Sequence, residues 1–170
     1  MFNELSNDLA LTYVPTWGLW EMIRELMSNS LDAGNDASIL REGSDLIILD
    51  NGDGLSKRHF LLGVSEKKNN ESIGKFGEGL KLALLVATRL GYRVDIYSNN
   101  LHVWNEKRQV ENIDVLKLFQ EPNSQPEMGT KIIIHNWNDN DTFESRFITK
   151  NDSRIIYSNQ IGDILNITQL

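Results

Sequence analysis

Apolar residues that recur three and four positions apart predict two helices. The stripe of the first consists of Leu19, Met22, Ile23, Leu26, Met27 and Ser30. It predicts a helix over about 17–33, with Thr16 as its N-cap and Gly34 as a stop signal. A nearly continuous apolar run predicts a second helix over 79–90, which ends at Gly91 in the C′ position.

Short apolar or alternating runs predict strands. These runs are 37–41, 45–50, 92–97, 101–104 and 130–135. Turn residues around Gly43 and at Asn99-Asn100 join neighbouring runs into hairpins. Residues 105–128 predict one more strand and a short helix, and residues 1–15 predict a partly helical lead-in. The expected fold class is α+β, a two-layer α/β sandwich with a mixed, largely antiparallel sheet and helices on one face.

Length and composition narrow the class of protein. A chain of 170 residues predicts a single domain over 1–170, in which 136–170 is either a C-terminal extension or the start of a following segment. The net charge of −7 argues against direct nucleic-acid binding and against attraction to an anionic membrane. The chain has no cysteine, no signal-peptide pattern and no apolar run long enough for a transmembrane helix. A cytoplasmic location is compatible with this composition.

Three polar residues share one face of the first predicted helix. Glu25, Asn29 and Asp32 are spaced four and three apart. A carboxylate can act as general base on a water molecule, and an amide oxygen is a suitable Mg²⁺ ligand. This face therefore predicts a site that holds a metal ion or hydrogen-bond donors, and the alternative is a solvated polar stripe opposite the core.

Two glycine-containing segments add to this picture. Asp50-Asn-Gly52-Asp-Gly54 follows a predicted buried strand, so Asp50 can accept a hydrogen bond from an exocyclic amine such as that of adenine. The glycines would let the backbone approach a flat ring closely, although a simple turn explains the same residues. Gly129-Thr130 opens the last predicted strand.

A third segment, 74–81, reads Gly-Lys-Phe-Gly-Glu-Gly-Leu-Lys and opens the second helix. Three glycines before a helix expose backbone N–H groups that can bind phosphate. The spacing fits neither a dinucleotide fingerprint nor a P-loop, and the alternative is a flexible linker. Lys75 would add positive charge near a phosphate, whereas Lys81 is expected on the solvated surface.

Together, the four motifs resemble those of the GHKL ATPase superfamily, which includes DNA gyrase B, 90-kilodalton heat-shock chaperones, histidine kinases and MutL. The matching patterns are Glu25-x-x-x-Asn29-x-x-Asp32-Ala33, Asp50-x-Gly52-x-Gly54, Gly74-x-x-Gly77-x-Gly79 and Gly129-Thr130. The segment 73–87 is most similar to the N-terminal ATP-binding domain of the heat-shock chaperones, while 25–34 falls between the chaperone and MutL versions.

This resemblance implies a Bergerat fold that binds ATP and Mg²⁺, with an ATP lid over about 55–76. It implies Glu25 as the catalytic general base and Asn29 as the metal ligand. The nucleotide-binding residues that it implies are Asn29, Asp32, Asp50, Gly52, Gly54, Gly74, Lys75, Phe76, Gly77, Glu78, Gly79, Leu80 and Thr130.

The expected function is a nucleotide-driven conformational switch, chaperone-like or similar to MutL and gyrase, with slow or partner-dependent ATP hydrolysis. These ATPases usually take a lysine or arginine for the γ-phosphate from a following domain, and this sequence is expected to stop before such a domain. It is then expected to be a fragment or to work with a partner. A homodimer or a partner protein would then supply that residue. The alternative is a non-catalytic nucleotide-binding module that binds a partner protein.

Overall fold

The structure is a computed structural model. It describes residues 3–5, 8–33, 37–60, 78–124, 128–138, 155–158 and 163–165. Within this part, the protein is α+β, with a large antiparallel sheet and two α-helices. This arrangement is compatible with the expected two-layer sandwich.

The first helix, α1, spans Leu19–Ala33 and buries the predicted stripe. The buried residues are Met22, Ile23, Leu26, Met27 and Ser30. The prediction of Thr16 as N-cap is wrong, because the helix begins at Leu19 and its first hydrogen bond is accepted by Gly18. The Gly18 carbonyl accepts a hydrogen bond from the Met22 amide at 3.1 Å, and the Gly18 amide donates to Glu21 Oε2 at 2.8 Å. The Glu21 carboxylate thus reaches back to the amide of the residue that precedes the helix, as the third residue of a helix does in a capping box.

The second helix, α2, spans Gly79–Leu90 and ends as predicted. Gly91 has φ of 85°, and its amide bonds back to the last turn. A left-handed residue at this position satisfies helix carbonyls, and glycine adopts it without steric cost. The expectation that Lys81 is a solvated surface lysine is wrong: only 2% of it is exposed, and burial lowers its pKa while nearby Glu78 opposes that shift.

The main sheet contains eight strands. They are β1 (Asn3–Glu4), β2 (Leu9–Ala10), β3 (Ala37–Glu42), β4 (Asp45–Asp50), β5 (Val94–Ser98), β6 (Leu101–Val110), β7 (Ile113–Pro122) and β8 (Thr130–Ile134). Their spatial order is β1-β7-β6-β5-β8-β4-β3, and β2 also pairs with β7. All of these pairings are antiparallel, so the described sheet is not mixed.

Two stretches differ from the sequence predictions. The described part of the lead-in forms β1 and β2 rather than helix, because both segments find hydrogen-bonding partners along β7. Between 105 and 124, β6 continues to Val110 and returns as β7. No helix occurs among the described residues of that stretch. The positive φ angles of Glu111 and Asn112 allow the tight turn between the two strands.

Both helices contact the same face of the sheet. Ser30 of α1 hydrogen-bonds the side chain of Asp50 at the end of β4. Thr88 of α2 accepts a hydrogen bond from Asn105 Nδ2 of β6 at 2.7 Å. The cross-strand register places Asp50 and Asn105 on one face, since side chains alternate along each strand. We call this the helix face and the other the open face.

Arg89, near the end of α2, holds the segment that leads into α1. Its guanidinium donates to the carbonyls of Leu11 and Tyr13 at 3.1 Å, to that of Val14 at 3.3 Å, and to that of Trp17. The five N–H donors of arginine suit such a convergence of carbonyls. A single turn of 3₁₀ helix, Lys57–Phe60, follows β4. In the described part of the chain, no helix is both long and apolar enough to cross a membrane.

The chain divides into two compact units, Met1–Asn138 and Asp139–Leu170. The first unit contains the eight-stranded sheet and both α-helices. In the second, β9 (Ile155–Ser158) and β10 (Asp163–Leu165) form an antiparallel pair with an irregularity between Ile164 and Leu165.

Candidate functional site

Asp50 lies at the end of β4, and its carboxylate faces α1. Asp50 Oδ1 accepts hydrogen bonds from the amides of Gly52 and Thr130, each at 3.1 Å, and the Ser30 hydroxyl also bonds to this side chain. Burial raises the pKa of Asp50, and the three hydrogen bonds only partly oppose that shift. The carboxylate is therefore preorganised, but its charge is incompletely compensated.

The loop after Asp50 is fastened to the turn between β5 and β6. The Leu55 amide donates to Ser98 Oγ at 2.7 Å, and Asn99 Nδ2 donates to the Asp53 carbonyl at 2.9 Å. Gly54 has φ of 80°, and a Cβ atom there would approach Ser98 Oγ to 2.7 Å. A larger residue at Gly54 would therefore displace the loop, because Gly54 packs directly against the side chains of Ser98 and Asn99.

Glu25 of α1 meets the first residue of α2. A Cβ atom added to Gly79 would overlap Glu25 Oε2, so the carboxylate lies directly against the start of α2. Its other oxygen, Oε1, forms an ion pair with Arg24 Nη2 at 2.8 Å. The Arg24 guanidinium also lies over the Trp17 ring, 5.8 Å from its centroid. Two of the predicted motifs, distant in sequence, are thus in contact.

Asn29 lies one turn after Glu25 on α1. Asn29 Nδ2 donates to the Glu25 carbonyl at 2.7 Å, which leaves the side-chain oxygen as the group available to a ligand. Asp32 is exposed in the last turn of the helix. Among the described residues, no group of three or more histidine, aspartate or glutamate side chains is arranged to hold a metal ion. A divalent ion at Asn29 would therefore need ligand oxygens from a bound molecule.

The structure describes most, but not all, of the predicted nucleotide-binding residues. Thr130 begins β8 opposite Asp50, and Leu80 is buried in the first turn of α2 behind half-buried Glu78. Part of the third motif and of the predicted lid lies outside the described residues, namely Gly74, Lys75, Phe76, Gly77 and the range 61–73.

Sequence reasoning missed two serines that organise the site. Ser98 accepts from the Leu55 amide, donates to the Gly129 carbonyl at 3.0 Å and bonds Thr130 Oγ1 at 3.1 Å. The alternation along β5 could have identified Ser98. It follows Val94 and Ile96 at every second position, so it is a polar residue on the buried side of the strand. Ser30 carried the same signal as the polar member of an apolar stripe.

Comparison with known proteins shows a likeness to an uncharacterized bacterial protein but to no protein-family model. No protein-family model matches the chain. An uncharacterized protein of Mycoplasma pneumoniae is 31% identical over 133 residues, which cover 69% of this chain and 54% of that protein. The chain thus spans about half the length of the curated relative that it matches.

Proposed function

We propose that this chain is the ATP-binding domain of a GHKL-type ATPase with a Bergerat fold, acting as a nucleotide-driven conformational switch. A cytoplasmic location, where ATP and Mg²⁺ are both available, belongs to this proposal. The output of the switch would be chaperone-like, or similar to that of MutL and gyrase.

Convergence of sequence-distant motifs is the observation that carries the proposal. Asp50 is bonded to Ser30 of α1 and to Thr130 of β8, while Glu25 of α1 touches Gly79 of α2. Both carboxylates thus contact α1 or belong to it, and each lies against a second motif of the resemblance. A nucleotide site needs this combination of a base-recognising acid and a catalytic acid held by separate elements.

In this proposal, Asp50 is the residue that recognises adenine. An exocyclic amine would donate to its carboxylate and compensate the buried charge that raises the pKa of the group. Gly54 and Thr130 would lie beside the ring. Because the surrounding hydrogen bonds already orient the carboxylate, little conformational entropy would be lost on binding.

In this proposal, ATP is hydrolysed where α1 and the start of α2 meet. The N-terminal amides of α2 would bind phosphate oxygens, and Asn29 would coordinate Mg²⁺ together with those oxygens. Bound Mg²⁺ would neutralise charge that develops on the phosphates. Glu25, adjacent to Gly79, would accept a proton from the attacking water. A basic residue from a second copy or a partner protein would contact the γ-phosphate.

Calorimetric titration with a non-hydrolysable ATP analogue and with ADP, each with and without Mg²⁺, tests the proposal. We expect saturable binding that depends on Mg²⁺, and no binding by Asp50→Asn because the amide would present a donor to the adenine amine. Asp45→Asn is the matched control, since Asp45 begins the same strand that Asp50 ends. Normal nucleotide affinity in Asp50→Asn would contradict the assignment.

A non-catalytic nucleotide-binding module that binds a partner protein is the second candidate. The ion pair between Arg24 and Glu25 Oε1 favours it, because it occupies one oxygen of the proposed base. Saturable nucleotide binding without turnover, in the presence of Mg²⁺ and at high protein concentration, would support this candidate over the ATPase.

A further inference from the structure

The open face of the sheet contains a cavity of about 330 Å³. Its floor includes Leu49, Lys131 and Tyr97, which are direct cross-strand neighbours on β4, β8 and β5. Since side chains alternate along a strand, Leu49 points to the opposite face from Asp50. The Asp50 carboxylate bonds Ser30 on the helix face, and Asp50, Gly129 and Thr130 at the strand ends also border the cavity.

Two aliphatic side chains and one cation lie next to one another in the floor of the cavity. Leu49 and Ile133 supply aliphatic surface, and both are partly exposed. No hydrogen bond or ion pair engages the Lys131 ammonium within the described part of the chain. Although the net charge of the chain is −7, this ammonium beside apolar surface attracts a negative charge locally.

The aromatic wall of the cavity is rigid. The Tyr97 ring stacks on the His102 imidazole, with centroids 4.3 Å apart and planes inclined by 6°. His102 is in turn held between Asp95 and Glu121, with nitrogen–oxygen distances of 2.7 and 2.9 Å. Burial raises the pKa of Tyr97, so its hydroxyl stays protonated at neutral pH and can donate to an anion.

The polar wall of the cavity is also fixed in place. The Asn123 amide donates to the Asn100 carbonyl at 2.9 Å, and Asn123 Nδ2 donates to the Asn99 carbonyl at 3.0 Å. Met128 stands at the rim with 84% of its surface exposed. An adaptable thioether at the entrance and a preorganised interior are typical of small-molecule sites.

We propose that this cavity is a second ligand site, for a small planar aromatic anion such as an aryl carboxylate or sulfonate. The aromatic plane lies over Leu49 and Ile133 beside Tyr97, and the anionic group pairs with Lys131. The volume suits two fused or linked rings. The four side chains that would contact this ligand, Leu49, Tyr97, Lys131 and Ile133, do not belong to the proposed nucleotide site.

Fluorescence titration with two probes of the same ring system tests the charge preference. 8-Anilino-1-naphthalenesulfonate carries an anionic group, and N-phenyl-1-naphthylamine lacks it. We expect saturable one-site binding of the sulfonate, roughly tenfold tighter than that of the neutral probe, as for one charge-assisted contact. Equal affinity for the two probes, or no saturable binding of the sulfonate, overturns the proposal.

Matched lysine variants assign the charge to one residue. Lys131→Gln should abolish the difference between the probes. Lys107→Gln, which removes the same charge from an exposed lysine paired with Asp114, should preserve it. Equal losses in both variants would show that only the net charge of the protein matters, which contradicts the proposal.

A labelling experiment localises the probe. The chain has no cysteine, so Met128→Cys can be alkylated at one position with a bulky maleimide. The adduct should block the sulfonate probe, whereas the same adduct on Tyr13→Cys, another exposed site, should not. If ADP displaced the probe, the probe would be bound in the nucleotide site, and the proposal would be overturned. If the protein bound no nucleotide at all, the probe results expected here would be the same.

Discussion

Glu25 and Asp50 are both acidic residues of the candidate site, yet their surroundings differ. Glu25 is paired with Arg24 through one oxygen and faces Gly79 with the other. Within the part of the chain that the structure describes, the hydrogen-bond donors to Asp50 are two amides and a serine hydroxyl, none of them basic. The first arrangement leaves only Glu25 Oε2 as a proton acceptor in the proposed hydrolysis, and the second suits a neutral donor such as an amine.

Replacement of Glu25 should separate binding from hydrolysis. Glu25→Gln keeps the size of the side chain but removes the proton acceptor, so we expect nucleotide affinity within about threefold of wild type and a loss of hydrolysis of roughly 100-fold. Phosphate release under single-turnover conditions measures this. Glu21→Gln, one turn earlier on α1, is the control and should hydrolyse ATP normally.

The ionised form of Asp50 should lower the free energy of unfolding when no ligand is bound. The pKa of Asp50 is raised in the folded state, so the folded state favours the protonated form, and stability falls as pH rises from the unfolded pKa through the folded pKa. At pH 7, Asp50→Asn should therefore be at least as stable as wild type, although it loses nucleotide binding. Urea denaturation measures the free energy of unfolding. A decrease of more than about 1 kcal/mol would contradict this account.

At the scale of elements, the site depends on how closely α1 and α2 approach each other. Gly79 makes room for the Glu25 carboxylate, and Gly54 makes room for Ser98 and Asn99. At Gly54 this close packing accompanies hydrogen bonds of Ser98 and Asn99 to the neighbouring residues Leu55 and Asp53. The glycines of the motifs therefore serve packing between elements as well as the proposed approach of ligand.

Gly79→Ala should impair activity more than stability. The new methyl group would overlap Glu25 Oε2, which is the end of a flexible side chain and can move away at little cost. Alanine also favours the helix by up to about 1 kcal/mol relative to glycine. We expect a near-normal unfolding midpoint and a loss of ATP hydrolysis. Gly18→Ala is the control, because its Cβ would lie an ordinary 3.8 Å from Glu21.

At the scale of the whole sheet, a polar chain crosses five adjacent strands on the open face. It runs through Glu121, His102, Asp95, His135 and Asp45, with successive nitrogen–oxygen distances of 2.9, 2.7, 2.7 and 3.0 Å. Arg93 adds two hydrogen bonds to Asp95, at 2.8 and 2.9 Å. These bonds connect β7, β6, β5, the residue after β8, and β4, so they also fix the register of the sheet.

Asp95 should make the protein sensitive to acid. Burial alone would raise the pKa of Asp95, which is only 3% exposed, but hydrogen bonds from Arg93, His102 and His135 outweigh burial and hold the pKa below its usual value. Its stabilising contribution is therefore present above the unfolded pKa, near 4, and is lost as pH falls through the folded pKa.

Urea denaturation at a series of pH values measures this contribution. At pH 7, Asp95→Asn should lower the free energy of unfolding by about 3 kcal/mol or more, because two histidines and an arginine lose a buried anionic partner. The difference from wild type should shrink as the pH falls below 4. Asp114→Asn, in an exposed pair with Lys107, should cost less than about 1 kcal/mol at any pH. A difference for Asp95→Asn that does not change with pH would refute the assignment.

Periodicity alone determined the helices and most strands of this protein. The α1 stripe, the stop at Gly91 and the two short hairpins depend on local spacing and turn residues, so they could be predicted and are confirmed. The structure brings Glu25 to Gly79 and Asp50 to Thr130, and these contacts between motifs were not predicted from the sequence. The nucleotide itself stays a prediction.

Only the tertiary structure decided the features that depend on partners far away in sequence. The segments at 3–4 and 9–10 form strands because they hydrogen-bond with β7. Lys81 is buried, like most residues in the first turns of α2. The roles of Ser30 and Ser98, and the polar chain and the cavity on the open face, arise from strand order and register. Local sequence does not encode which strands become neighbours, since pairing is selected by burial and hydrogen bonding across the whole sheet.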